Sequence, residues 1–357
     1  MKKVEEKKGK WKRTGVVLLQ ILVVVLVLYL VFHKHYREIY YNISQIGGEG
    51  ILVMLLLAMG YLCLEVAAHY IIIKKRLPEF QIRQGIRLVS VGIMGKVVTA
   101  SVGIIPLQSY YLSRRGLMPG KSVGSIIFIY IVNKCAVLTV TVCLILGKGQ
   151  VLFQELPYLL LAVLISLFIS FVIIALLIVV CLWKNMNHLI DLIFEKLPDT
   201  EVWQNRKNKI ETNVSALYEE AQFLCKDKIT LGKAFLVQCM KVFLMCMIPY
   251  FCLGLFHIPA KSALEMAMLT ALSLLLAGIC PNVGGLGPVE VTFLFFFSQY
   301  ISGSQAASIL VLYRLITYFI PFLVSVPIAG RILRMEKKNR ENNRKLREKR
   351  IDRESSL

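Results

Sequence analysis

The sequence is short of charge, of paired cysteines and of metal-ligand spacing, and each shortage excludes a class of protein. Only 18% of its residues are charged while 57% are apolar, against roughly 25% and 45–50% in soluble domains. An ordinary soluble domain is therefore excluded. None of the nine cysteines belongs to a C-x-x-C pair, which removes a redox motif or zinc ribbon and leaves small buried hydrophobes as their reading. The five histidines, His33, His35, His69, His188 and His257, show no metal-ligand spacing. No metal and no cofactor is expected, and nothing in these spacings calls for an autonomous enzyme.

What is present is apolar sequence in blocks. Six runs, Gly15–Phe32, Ile51–Ile73, Val123–Leu146, Pro157–Leu182, Ala234–Phe256 and Ala306–Ile328, reach the roughly 18 residues that cross a hydrocarbon core. No small-residue cleavage pattern follows the first, so it reads as an uncleaved span rather than a secretory signal. The net charge of +20 gathers near the N-terminus, in Lys74–Arg87, Arg114–Lys121 and Lys184–Lys233, and in the tail from Arg331. Basic loops stay on the cytoplasmic side. A multi-pass cell-membrane protein with both termini in the cytoplasm is expected, its tail resting on anionic lipid rather than nucleic acid.

Two further runs, Arg87–Leu112 and Ser262–Tyr300, are broken by glycine and proline: Gly103 and Pro106 in the first, Pro281, Gly284, Gly285, Gly287 and Pro288 in the second. Arg87–Leu112 has basic residues at both ends, so a single crossing would put one cluster outside. Both runs read as re-entrant hairpins, tolerated at membrane depth only where they line a cavity or are buried in protein.

The expected fold is an all-α integral membrane bundle of two inverted repeats, each with one re-entrant hairpin. Residues 1–13 form a basic N-terminus, 14–150 the first repeat with its hairpin at about 87–115, and 151–330 the second. The second repeat carries a cytoplasmic linker at about 184–232 and a hairpin at about 262–300, and 331–357 form the tail. Pro106-Leu107-Gln108 answers Pro288-Val289-Glu290 at a separation of 182, and Lys134 answers Arg314 at 180. Inverted repeats with paired broken segments point to a transporter-type site at the repeat interface.

Ionisable side chains within apolar runs are expensive, at roughly 2.5–3.5 kcal/mol each, and normally face a cavity or one another. They are Glu65, Lys96, Lys134, Lys241, Glu265, Glu290 and Arg314. For Lys241 and Glu265 a structural ion pair is the preferred reading. Lys134 and Arg314, at corresponding positions, are expected with Glu290 to form a polar cluster suited to a phosphate headgroup, Arg as bidentate partner and Lys as point charge. Gln108, Tyr110 and Asn133 offer neutral hydrogen bonds, and helix N-termini after Pro106 and Pro288 offer backbone N–H groups. The Gly284–Gly287 stretch lacks the Lys-Ser/Thr ending of a nucleotide loop and is expected to serve close packing.

At these hairpins the sequence resembles the lysylphosphatidylglycerol synthase/flippase transmembrane family. Pro281–Glu290, PNVGGLGPVE, with Tyr313-Arg314 and Pro321, resembles that family's C-terminal signature, and Thr99–Leu117, TASVGIIPLQSYYLSRRGL, is similar to its first. Ala100, Ile104 and Ile105 stand where the family usually has Pro, Gly and Gln. The resemblance implies a phospholipid translocase for lipids such as lysyl-phosphatidylglycerol and, through it, resistance to cationic antimicrobial peptides. It also implies a homodimer and a separate lipid-modifying transferase as partners, because the aminoacyl transferase half is expected to be missing from a chain ending at Leu357. The alternative is a membrane enzyme, or a subunit of one, modifying such a lipid.

Overall fold

The computed structural model describes residues 36–99, 101–155, 157–182, 201–259, 262–278, 287–332 and 334. The first apolar run, the tail and most of the segment holding Pro281, Gly284 and Gly285 lie outside them. Among the described residues the chain is all-helical: α1 Tyr36–Ser44, α2 Gly48–Arg76, α3 Ile82–Val98, α4 Ile104–Ser113, α5 Pro119–Glu155, α6 Tyr158–Leu182, α7 Glu201–Lys226, α8 Lys228–Leu255, α9 Ala263–Ala277, α10 Pro288–Phe297 and α11 Gly303–Arg314. A π-helical turn, Leu315–Phe319, continues α11, and the helix runs on to Ile332.

Local chemistry sets the boundaries. α2 stops at Leu77, held extended (φ −121, ψ 91) by the following Pro78, because a residue before proline is excluded from the α region. α5 and α10 open on Pro119 and Pro288, whose missing N–H costs nothing at the first helical position. Asp227 caps α8 by accepting from the Thr230 N–H at 3.0 Å, and Ser302 caps α11 by accepting from Gln305. Such caps satisfy N–H groups that the helix itself leaves unpaired.

Among the described residues four helices are long and apolar enough to cross a membrane: Gly48–Arg76, Pro119–Gln150, Lys228–Leu255 and Gly303–Ile332. Outward surfaces are apolar, as lipid-facing helices require: Leu52 and Leu56 on α2 and Leu236 on α8 are exposed, as are Leu161 and Phe168 on the neighbouring α6. The order long helix, two short helices, long helix occurs twice, as α2, α3–α4, α5 and as α8, α9–α10, α11. α3 and α4 fold back on each other, with the Tyr111 hydroxyl donating to the Gln84 carbonyl and the Gln108 amide to the Leu88 carbonyl. α9 and α10 are tied by the Thr292 hydroxyl, which donates to the Ser273 carbonyl at 2.9 Å.

Two apolar cores result. One gathers Met54 and Ala58 of α2, Ala136–Leu144 of α5, Val242–Leu253 of α8 and much of α9, α10 and α11. The other gathers Ile72 and Ile73 of α2, Ile126–Val132 of α5, α3, α4 and α7, and the far end of the α11 helix at Ala329 and Ile332. Every long helix thus passes from one core to the other near its middle.

The segment expected as a linker contains α7, which is docked rather than loose. Leu217, Ala221 and Leu224 join the second core. The Glu220 carboxylate, fully buried, lies 3.1 Å from Arg76 Nε and accepts from the Ser125 hydroxyl at 2.7 Å. Removing one partner of a buried pair leaves a charge without compensation, so Glu220 fixes α7 to α2 and α5 together.

Candidate functional site

Between the two cores lies a cavity of about 570 Å³, walled by all four long helices and by α3, α4, α9 and α10. Each long helix presents polar groups at helical spacing. On α2 these are Tyr61, Glu65 and His69, four residues apart and so on one face; on α5 Tyr130, Asn133 and Lys134; on α8 Gln238 and Lys241; on α11 Tyr313 and Arg314. All fall near the centre of their helix, where the chain crosses from one apolar core to the other.

Two ion pairs organise the wall. Lys241 Nζ donates to Glu65 at 2.6 Å and to the Asn133 side-chain oxygen at 2.8 Å. His69 completes this arm, its Nδ1 2.9 Å from the Glu65 carbonyl and its Nε2 3.5 Å from the Gln108 amide. The second pair joins Arg314 Nε to Glu290 at 2.7 Å, an ion contact outside hydrogen-bond geometry, and Arg314 Nη2 is buried with no partner among the described residues. The other Glu290 oxygen accepts from the Gly287 N–H at 2.6 Å, so the carboxylate both caps α10 and holds the arginine.

Lys134 and Lys96 are held differently. Lys134 Nζ lies 5.5 Å from the Tyr130 ring centre, and Lys96 Nζ lies 5.3 Å from that of Tyr318. A Cβ added at Gly278 would come within 3.3 Å of Lys134 Nζ, so this ammonium sits against the C-terminal end of α9. That end carries partial negative charge.

Two glycines have specific duties. At Gly92 a Cβ would collide with the Gln108 amide, so glycine there lets Gln108 lie across α3. Gly287 holds φ +104, a backbone conformation costly for any residue with a Cβ. Its role is conformational. Gly103 immediately precedes α4, and its N–H donates to the Thr99 hydroxyl oxygen. The helix begins at Ile104, so Pro106 sits inside its first turn rather than ahead of it.

Of the six expected headgroup residues, Lys134, Arg314, Gln108 and Asn133 line the cavity and Glu290 stands directly behind Arg314. Tyr110 is not among the lining residues; it lies two positions past Gln108, about 200° around the helix. Lys241, read from sequence as a structural pair, is paired and also lines the cavity. Glu265 is remote from it, 3.9 Å from Lys148. Sequence reasoning passed over Tyr61, His69 and Gln238. The i, i+4 spacing of Tyr61, Glu65 and His69 within an apolar run was the signal available for the first two.

Among the described residues no group of His, Cys, Asp and Glu could hold a metal ion. Gly120-Lys121-Ser122-Val123-Gly124 has the letters of a nucleophile elbow, but it lies inside α5, and the buried Ser122 hydroxyl donates to the Leu117 and Met118 carbonyls. An elbow needs a strand-to-helix turn, and none is present there.

An all-helical fold with apolar outer faces and a polar, partly ion-paired cavity inside defines a helical membrane protein. The family profile of the lysylphosphatidylglycerol synthase TM region matches residues 17–325, and the chain belongs to that family. Comparison with curated proteins gives no match.

Proposed function

We infer that the chain is a translocase of a phosphate-bearing membrane lipid, drawn from the anionic and aminoacylated phospholipids. One observation carries the reading: a cation-rich cavity at the midpoint of all four long helices, the depth at which transporters hold their substrates. The headgroup would enter between α3–α4 and α9–α10, passing Lys134, Asn133, Gln108 and Arg314 while the acyl chains stay in lipid. Glu290 would position Arg314.

In this reading the two sets of helices are inverted repeats and the two short pairs are re-entrant hairpins. The protein is multi-pass, with both termini in the cytoplasm. The repeated element order and the 180–182 residue offset support that topology. A separate transferase would supply an aminoacylated lipid, and a second copy of the chain would complete a homodimer.

The test is translocation in proteoliposomes containing only this chain, with headgroup-labelled phosphatidylglycerol and lysyl-phosphatidylglycerol. Wild type should move at least one of them faster than empty liposomes do. Folded Lys134→Ala and Arg314→Ala variants should lose that gain. Background rates for both lipids would sink the reading, and chemical conversion of a lipid by the chain alone would favour a membrane enzyme.

A further inference from the structure

The sign of the headgroup is set by the charge of the cavity wall. Four cations line it, Lys96, Lys134, Lys241 and Arg314. Two carboxylates answer them, and both are engaged: Glu65 by Lys241 at 2.6 Å and Glu290 by Arg314 at 2.7 Å. Among the described residues no carboxylate lies within 4 Å of Lys96 or Lys134; tyrosine rings face them instead. His69 faces Glu65 and Gln108 and adds no negative charge in either protonation state. The segment 279–286 contains no Asp or Glu.

The unpaired hydrogen-bonding capacity, by contrast, includes an acceptor as well as donors. Among the described residues the Arg314 Nη2 donor is buried without a partner, and so are the amide donor and the amide acceptor of Gln238, which is fully buried and lines the cavity. The wall therefore offers spare donors and two positive charges with no carboxylate within 4 Å, while among the described residues its two carboxylates are already engaged and the neutral Gln238 oxygen is the acceptor left for an ammonium group. A phosphodiester with a neutral polar end matches that wall. An aminoacylated headgroup brings ammonium groups of its own, which meet Lys96 and Lys134 as like charges.

We propose that the cavity is a selective site for phosphate headgroups of net negative charge, with Lys96 and Lys134 as the pair that discriminates against aminoacylated lipid. The proposal rests on the translocase reading for its lipid setting; the sign of the selectivity comes from the wall alone.

Binding to the purified full-length protein in detergent tests it, by native mass spectrometry with phosphatidylglycerol, lysyl-phosphatidylglycerol and inorganic phosphate as separate probes. Phosphatidylglycerol should bind about tenfold or more tightly than lysyl-phosphatidylglycerol, since like charges brought together are strongly unfavourable. Lys96→Gln and Lys134→Gln should each narrow that ratio, and Lys96→Glu with Lys134→Glu should reverse it. Equal or tighter binding of lysyl-phosphatidylglycerol by wild type would overturn the selectivity even if both lipids are translocated. Selective binding without movement in vesicles would uphold it while removing the translocase. Inorganic phosphate binding as tightly as the lipid would assign the anion site to a soluble phosphate and overturn the lipid assignment. Should a charge-reversed variant fail to fold, the wild-type ratio and the two glutamine variants still decide.

Discussion

Positions 108 and 134 in the first half and 290 and 314 in the second occupy matching places in the sequence, yet they are built differently. In the second half Glu290 sits behind Arg314 and neutralises it at 2.7 Å. In the first half the residue corresponding to Glu290 is the neutral Gln108, whose amide bonds the Leu88 carbonyl, and Lys134 has no carboxylate within 4 Å among the described residues. A single exchange of carboxylate for amide between the halves thus leaves one side of the cavity balanced and the other positive. Similar architecture does not impose similar electrostatics; the buried partner decides which cation is available.

Substitutions that remove this asymmetry should act in a definite order. The largest effect is expected from Glu290→Ala, which leaves Arg314 buried without its counter-ion and frees the Gly287 N–H. Loss of one member of a buried pair costs about 3–5 kcal/mol, readable as a fall in the thermal midpoint in detergent. Gln108→Ala, with no charge to abandon, should cost far less.

The glycines that precede the two short helices should differ next. Gly287→Ala forces a side chain into φ +104, a strain of about 1–3 kcal/mol, and should lower the midpoint measurably. A matching change at Gly103, whose φ of −85 is ordinary, brings no such backbone strain, but its Cβ would collide with the Thr99 side chain and displace the hydroxyl that accepts the Gly103 N–H. The smallest effect is expected at Tyr110→Phe, which should leave lipid movement at the wild-type rate because Tyr110 does not line the cavity. A loss of movement there would place the path elsewhere.

Much of this was legible in the sequence because membranes make polar residues conspicuous. A glycine- and proline-broken run announces an interruption, and the helices do break at 99–103 and again between Ala277 and Pro288. An ionisable group within an apolar run announces a cavity or a partner, and five of the seven such residues line the one cavity described here. What could not be read was partnership. Glu65 and Lys241 are 176 residues apart, and nothing local to either shows that α2 and α8 lie side by side. Tyr110 misled because a motif counts residues along the chain, while a helix turns about 100° with each one. Gln238 was passed over because it carries no charge, although burying an unpaired amide in an apolar run is costly as well. The docking of α7 was hidden for a similar reason: its charged residues suggest a solvated face, while Glu220 is buried between Arg76 and Ser125.

The π-helical turn at Leu315–Phe319 begins immediately after Arg314, and there the Ile320 N–H reaches back five residues to the Leu315 carbonyl. A turn of this kind accommodates one residue more than the α-helix around it. The helix therefore carries a frame shift in its own register. The helix from Ile320 to Ile332 is rotated by about 100° relative to an uninterrupted one, and Tyr318, the ring that faces Lys96, lies within the shifted turn. Arg314 and the Lys96–Tyr318 contact are thus aimed at one cavity by a single surplus residue, in the way a vernier aligns two scales that would otherwise miss.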